Sequence, residues 1–255
     1  MQLHFQAYGS GFPLIILHGL FGMLDNWHTV SRSLGADFRV FALDQRNHGR
    51  SHHSETFTLE AMAEDVVDFM DQEGIASAFL LGHSMGGKTA MQAALSQPDR
   101  VQKLIVVDIA PRSYASQHYG ILEALTSIDL SQMRSREDVN SGLSRWIPRL
   151  DVRQFLMKNL ARRDDGTYQW KMNFSVIQSN YQEVLREVVC DKPFQKPSLF
   201  IRSIKSSYLL ESDRPSILRL FPNSSIADFD TGHWIHAEAP DLFISTVKDF
   251  LQRSD

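Results

Sequence analysis

Ala78-Phe79-Leu80-Leu81-Gly82-His83-Ser84-Met85-Gly86 runs from an aliphatic tetrapeptide straight into a serine with glycines two places before and two places after it. The aliphatic run reads as a strand buried on both faces. The residues from Met85 to Ser96 are alanine-rich, stop before Pro98 and read as a helix. Gly-x-Ser-x-Gly between a strand and a helix is the sharp turn called the nucleophile elbow. Glycines are needed there because the turn crowds the backbone. The serine then projects from the carboxyl end of the strand, over a helix N-terminus that favours a developing anion.

The same grammar extends in both directions. Leu14–Leu17, Phe38–Leu43, Leu104–Val107, Ser198–Ile201 and Ser225–Phe229 are further short apolar runs bounded by turn residues. Helical spacing appears at Met62, Val66, Phe69 and Met70, and again from Pro240 to Leu251. Strand–helix alternation of this kind implies an α/β architecture, a mostly parallel sheet flanked by helices. Between about Pro111 and Pro197 the alternation stops. That stretch has helical patterns and no run like the earlier strands, so a helical insertion over one sheet edge is expected.

The 255 residues suit one large domain with a smaller insertion. Apolar residues make up 43% and charged residues 22%, too apolar for disorder. A net charge of −4 gives no electrostatic reason to expect nucleic acid. One cysteine, Cys190, excludes an internal disulfide and suits a reducing compartment. The N-terminal residues lack a secretory pattern, and no apolar run approaches the ~20 residues of a membrane helix. A cytoplasmic protein without membrane insertion is expected.

A serine nucleophile needs a base, and ten histidines compete for the part. Triads built on this elbow run in the chain order serine, acid, histidine. His233, in Asp230-Thr231-Gly232-His233-Trp234 between the last strand and the last helix, fits that order; His48 precedes the serine and fits it poorly. His52, His53 and His118 read as surface or insertion residues. His233 and His236 are spaced for a metal but lack a third ligand, so no metal is expected. His18-Gly19-Leu20-Phe21-Gly22 follows the first apolar run, and its turn can aim a backbone N–H at the edge that carries Ser84. With the N–H of Met85 it would form an oxyanion hole. His18 itself reads as holding that turn rather than moving protons.

HGLFG, DQRNHGRS, GHSMGG, VVDIAP and GHWIHAEAP together resemble the α/β-hydrolases, and closely the small bacterial esterases of the YbfF type. The resemblance implies an eight-stranded, mostly parallel sheet flanked by helices, with a helical cap inserted after the sixth strand. Residues 1–111 and 192–255 would form the core and 112–191 the cap. It implies hydrolysis of a small carboxylic ester or thioester through an acyl-enzyme, without a cofactor. Leu20 and Met85 would donate to the oxyanion. Phe21, Trp234 and, from the insertion, Trp146 would line the substrate pocket. Haloalkane dehalogenases and epoxide hydrolases resemble the chain but carry aspartate where Ser84 stands. C–C bond hydrolases and perhydrolases share the serine triad and stay open, as does a non-enzymatic binder.

The acid is where the chain departs from the commonest arrangement. After Leu199–Ile201 the loop reads Arg202-Ser203-Ile204-Lys205-Ser206-Ser207-Tyr208, with no carboxylate before Glu211 and Asp213. Asp108 ends the strand after the elbow helix, 24 residues beyond Ser84, a crossover length that brings it to the same sheet edge. Asp108 is therefore expected as the triad acid, as in YbfF-type esterases. Asp230 is a weaker rival, and Asp108 could instead only cap its loop. Arg145, Arg149 and Arg153 are four apart and could form a basic helix face for a phosphorylated leaving group, or simply a solvated one.

Overall fold

Consecutive apolar residues in the central strands go to opposite faces, and both faces are covered. Leu14 and Ile16 pack into one core, Ile15 and Leu17 into the other. The computed structural model describes residues 2–116 and 118–253. Its main sheet is built from β1 (Phe5–Tyr8), β2 (Pro13–Leu17), β3 (Arg39–Leu43), β4 (Ala78–His83) and β5 (Val101–Val107). Two later strands complete it, after a short pair, β6 (Leu160–Arg162) and β7 (Tyr168–Trp170), that lies elsewhere: β8 (Ser198–Ser203) and β9 (Ser224–Phe229). The order is β1-β3-β2-β4-β5-β8-β9, with β1 antiparallel to β3 and every other neighbour parallel.

The helices divide between the two faces. α1 (His28–Leu34) packs Val30 and Leu34 on one side, and α2 (Leu59–Gln72) and α3 (Met85–Ser96) pack Met62, Val66, Phe69, Met91 and Ala94 on the other. Five short helices, α4 (Tyr119–Ser127), α5 (Arg136–Ser144), α6 (Leu150–Met157), α7 (Phe174–Ser179) and α8 (Tyr181–Leu185), fall between β5 and β8. Their apolar residues join the α2–α3 side. α9 (Arg214–Leu220) and α10 (Ile235–Glu238) lead to α11 (Pro240–Gln252), whose Phe243, Val247 and Leu251 close the α1 side.

Three expectations need correction. Among the described residues the main sheet has seven strands, not eight, because the first strand is already the antiparallel edge strand. The segment expected as an insertion accordingly follows the fifth strand in chain order, not the sixth. It is also not purely helical: β6 and β7 pair antiparallel around a tight turn. Gly166 takes φ +82° there, and Asp165 Oδ1 accepts both the N–H and the hydroxyl of Thr167, at 2.9 and 2.6 Å. Three residues a side are too few for a period-2 pattern to stand out in the sequence.

The chain reverses its winding between β2 and β4, which lie side by side while β3 sits beyond β2. In open parallel sheets a crevice forms at the carboxyl ends of the strands on either side of such a switch. Ser84 follows β4 and Gly19-Leu20 follows β2, so the two motifs meet there. The approach is close: a Cβ built on Gly86 would stand 2.4 Å from the Leu17 carbonyl oxygen, and one on Gly82 2.1 Å from that of Gly86. Both positions exclude any side chain. Gly86→Ala is expected to lower stability by about 2–4 kcal/mol. Urea unfolding measures it, and an unchanged midpoint would contradict this packing.

Candidate active site

Four non-glycine residues among those described have positive φ: Phe21 (60°), Asn47 (64°), Ser84 (52°) and Asp108 (48°). Each lies just past the carboxyl end of β2, β3, β4 or β5. Such backbone costs roughly 1–3 kcal/mol per residue and persists only where the surroundings enforce it. For Ser84 the enforcement is visible: its N–H donates to Val107 O at 3.0 Å, its carbonyl accepts the Lys88 N–H at 3.1 Å, and α3 begins at the next residue. Asp108 is held likewise, its N–H donating to Ile201 O at 2.8 Å.

Asp108 is fully buried. Its Oδ1 accepts the Ser203 N–H at 3.1 Å, and its Oδ2 lies 2.7 Å from His233 Nδ1. The expected acid and base therefore meet. The rivals are engaged elsewhere. Asp213 binds Arg112 Nε at 2.8 Å and accepts the Leu210 N–H, and exposed Asp230 pairs with Lys205 at 2.9 Å. Glu211 pairs with Arg202 and Arg214. The strand end that commonly supplies the acid carries Ser203 instead, whose hydroxyl donates to Thr231 O and steadies the histidine loop. Gly232 N–H adds a bond to Glu238 Oε2 at 2.7 Å.

Five other histidines at this edge are held neutral: His18, His48, His83, His118 and His236. His83 Nε2–H donates to the His233 carbonyl at 3.0 Å; burial and the nearby His233 and His236 keep that ring well below its usual range. His236 stacks on Trp27 at 4.1 Å instead of turning toward His233, and burial pushes it down to about 3. His18 Nδ1–H donates to Gly19 O at 2.8 Å and its Nε2 accepts the Gln45 N–H at 3.0 Å. His48 Nε2 accepts the Phe21 N–H at 3.2 Å. Burial lowers His18 to about 4 and His48 to about 3. As acceptors, His48 holds the turn after β2 and His18 ties that turn to the loop after β3, work that a protonated ring could not do. No three His, Cys, Asp or Glu side chains converge as a metal set among the described residues.

A cavity of about 270 Å³ opens over Ser84 and His233. Leu20, Phe21 and Trp234 line it from the sheet edge, and Ile121, Val152 and Phe155 from the segment between β5 and β8. Phe155 and Trp234 meet at 5.2 Å and form part of its roof. Trp146 does not line it. This tryptophan is 48% exposed past the end of α5, beside Arg145 on a separate depression. His118, read from sequence as a surface or insertion residue, does line the cavity, with burial lowering it to about 4. No local pattern marks it, because its partners Tyr181 and Tyr208 are 63 and 90 residues away. The three arginines do not share one helix: α5 ends at Ser144, Arg149 pairs with Asp151, and Arg153 binds Asn140 Oδ1 and two carbonyls.

The segment between β5 and β8 is tied to the strained edge. Asn159 Nδ2 donates to the Phe21 carbonyl at 2.7 Å, and Asn173 N–H to that of Asn47 at 2.8 Å. Buried Lys88, one turn after Ser84, donates to Arg186 O; burial and the charges of Arg112 and Arg186 bring it down to about 7.

Residues 13–137 match the family model described as alpha/beta hydrolase fold. The chain is 38% identical to sn-1-specific diacylglycerol lipase ABHD11 of Danio rerio, over 97% of this chain and 81% of that protein. It is 34% identical to esterase YbfF of Escherichia coli, over 94% of this chain and 92% of that one. A solved marine microorganism esterase is 41% identical and superposes with a TM-score of 0.96, covering 98% of this chain and 99% of its own.

The neutral histidines make stability depend on pH. An unfolded chain protonates them as pH falls through about 6.5, whereas folded His18, His48 and His236 do not until about 4 or about 3. The unfolded state binds more protons in that window, so stability falls as pH is lowered from about 6.5 toward 4, each ring contributing up to about 1.4 kcal/mol per pH unit. Urea midpoints at pH 7 and pH 5 measure this. Equal midpoints would show that these rings are not held neutral.

Proposed function

The chain belongs to the α/β-hydrolase family and is related to esterases and lipases; on that premise we propose that it is a serine hydrolase that cleaves small carboxylic esters, or thioesters by the same steps, through an acyl-enzyme. The observation that carries this reading is the 2.7 Å Asp108–His233 pair, at the sheet edge where Ser84 occupies a strained strand-to-helix turn. His233 and Ser84 both line one cavity, with Asp108 buried behind the imidazole.

In this reading Ser84 Oγ attacks the ester carbonyl as His233 Nε2 takes its proton. Asp108 fixes the His233 tautomer with its proton on Nδ1 and stabilises the imidazolium. The oxyanion receives the N–H groups of Met85, first residue of α3, and of Leu20. The neighbouring Phe21 N–H is occupied by His48, which supports Leu20 as the donor of that turn. His233 then protonates the departing alcohol or thiol, and water repeats the sequence on the acyl-enzyme.

Residues 1–111 and 192–255 form the hydrolase core in this reading, and 112–191 a cap that selects the substrate. Phe21 and Trp234 contact the acyl or alcohol portion from the core side. No helix among the described residues is long and apolar enough to cross a membrane, and a single exposed free cysteine fits a reducing cytoplasm.

Two experiments test the reading. Ser84→Ala, His233→Ala and Asp108→Asn are each expected to lower kcat/KM for p-nitrophenyl butyrate by about 10³-fold or more. Asp213→Asn, Asp230→Asn and His48→Ala should retain measurable turnover. A Ser84→Ala protein hydrolysing at near wild-type rate, or unlabelled wild-type protein after fluorophosphonate treatment, would end the proposal. Phe155→Ala tests the cap: preference across acyl chain lengths should change more than the labelling rate of Ser84 by a small phosphonate. An unaltered chain-length profile would remove the selective role from this segment.

A further inference from the structure

We propose that Tyr208, held in place by His118, is a positioning residue for His233. The proposal deepens the serine-triad reading and rests on it. Tyr208 lies on the loop after β8, and its ring stands 4.3 Å from the His233 ring at an interplanar angle of 30°. The two rings are tilted against each other at this short distance, so Tyr208 limits how the imidazole can turn.

Tyr208 is itself fixed at three points. Its N–H donates to Ser206 Oγ at 3.1 Å, its carbonyl accepts the Tyr114 hydroxyl at 2.5 Å, and its own hydroxyl lies 3.2 Å from His118 Nε2. His118 Nδ1 is in turn 2.7 Å from the Tyr181 hydroxyl of α8, and the His118 ring meets Phe21 at 6.2 Å, edge to face. The face that rests on His233 is thereby joined both to the segment between β5 and β8 and to the turn after β2.

The chemistry of this contact follows from charge. Five titratable groups face or approach His233: Asp108 at its Nδ1, His83 of β4 with rings 4.5 Å apart, Tyr208, His118 and His236. His83, His118 and His236 are held neutral by burial first and then by the positive charge that His233 can carry, and burial raises the Tyr208 hydroxyl to about 12. The imidazolium formed when His233 accepts a proton therefore has two favourable partners. One is the Asp108 carboxylate in the ring plane; the other is the negative π face of Tyr208 above it.

Nitrogen-15 NMR of the full-length protein, with labelled histidine and a His233→Ala spectrum for assignment, follows the His233 ring through a pH titration. Tyr208→Leu removes the aromatic face; loss of a partner for the charged ring should lower the midpoint by about 0.5–1.5 units. Tyr208→Phe keeps the face and the two backbone anchors to Ser206 and Tyr114 while losing the bond to His118, and should restore most of the wild-type midpoint. With p-nitrophenyl butyrate, Tyr208→Leu should lower kcat severalfold while KM changes little, and the low-pH limb of the rate profile should move with the NMR midpoint. A Tyr208→Leu midpoint equal to wild type, or equal shifts in the Leu and Phe variants, overturns the proposal. The NMR measurement needs no turnover, so an inactive wild-type protein would defeat the esterase reading while the titration still decides the role of Tyr208.

Discussion

Two stretches of backbone touch at the centre of this molecule. Gly86 lies so close to the carbonyls of Leu17 and His18 that a methyl group has no room, and Gly82 lies as close to Gly86. That contact brings the end of β2 against the elbow after β4, and the remaining geometry follows from it. Ser84 is forced to positive φ with its side chain at the edge, and the HGLFG turn reaches the same crevice. The parallel ladder then carries the constraint one strand further, through Ser84 N–H to Val107 O and Asp108 N–H to Ile201 O. Strain is thus concentrated at four successive strand ends, where a regular sheet on one side and packed loops on the other hold it.

The electrostatics of the edge are organised by burial. Asp108 is a fully buried carboxylate, with the Ser203 amide and the His233 ring as its partners. The other histidines of this edge would add positive charge if they were protonated, but burial keeps His18, His48, His83, His118 and His236 neutral. They serve as acceptors for backbone N–H groups, as donors to carbonyls and as stacking surfaces. His233 keeps about a quarter of its side chain open to the cavity while its Nδ1 faces the acid. The division of labour among chemically identical rings comes from solvent access and hydrogen-bond partners alone.

Besides its apolar packing, the segment between β5 and β8 is joined by hydrogen bonds to the strained loops themselves. Asn159 binds the Phe21 carbonyl, Asn173 that of Asn47, and Lys88 at the start of α3 holds Arg186. A shift of this segment would therefore be felt by the turn after β2 and by the elbow helix. The cavity lies between the two parts, walled by aromatic groups from each, with Phe155 against Trp234 as the clearest meeting point.

By itself the sequence determined whatever short-range pattern could carry. Apolar runs bounded by turns gave the central strands, and the glycines around Ser84 gave the elbow. Crossover length put Asp108 at the same edge, and chain order left His233 as its partner. These are legible because strand spacing, turn sterics and the parallel crossover operate over a few to some thirty residues. Tertiary structure alone decided the rest. The strand count, the β6–β7 hairpin and the exposure of Trp146 depend on how short elements of weak periodicity settle on one another. His118 became part of the site through Tyr181 and Tyr208, far away in sequence, and Tyr208 came to lie on His233 through a loop with no motif. Side-chain contacts between separate segments are fixed by packing across the fold, and a single chain of letters carries no local signal for them.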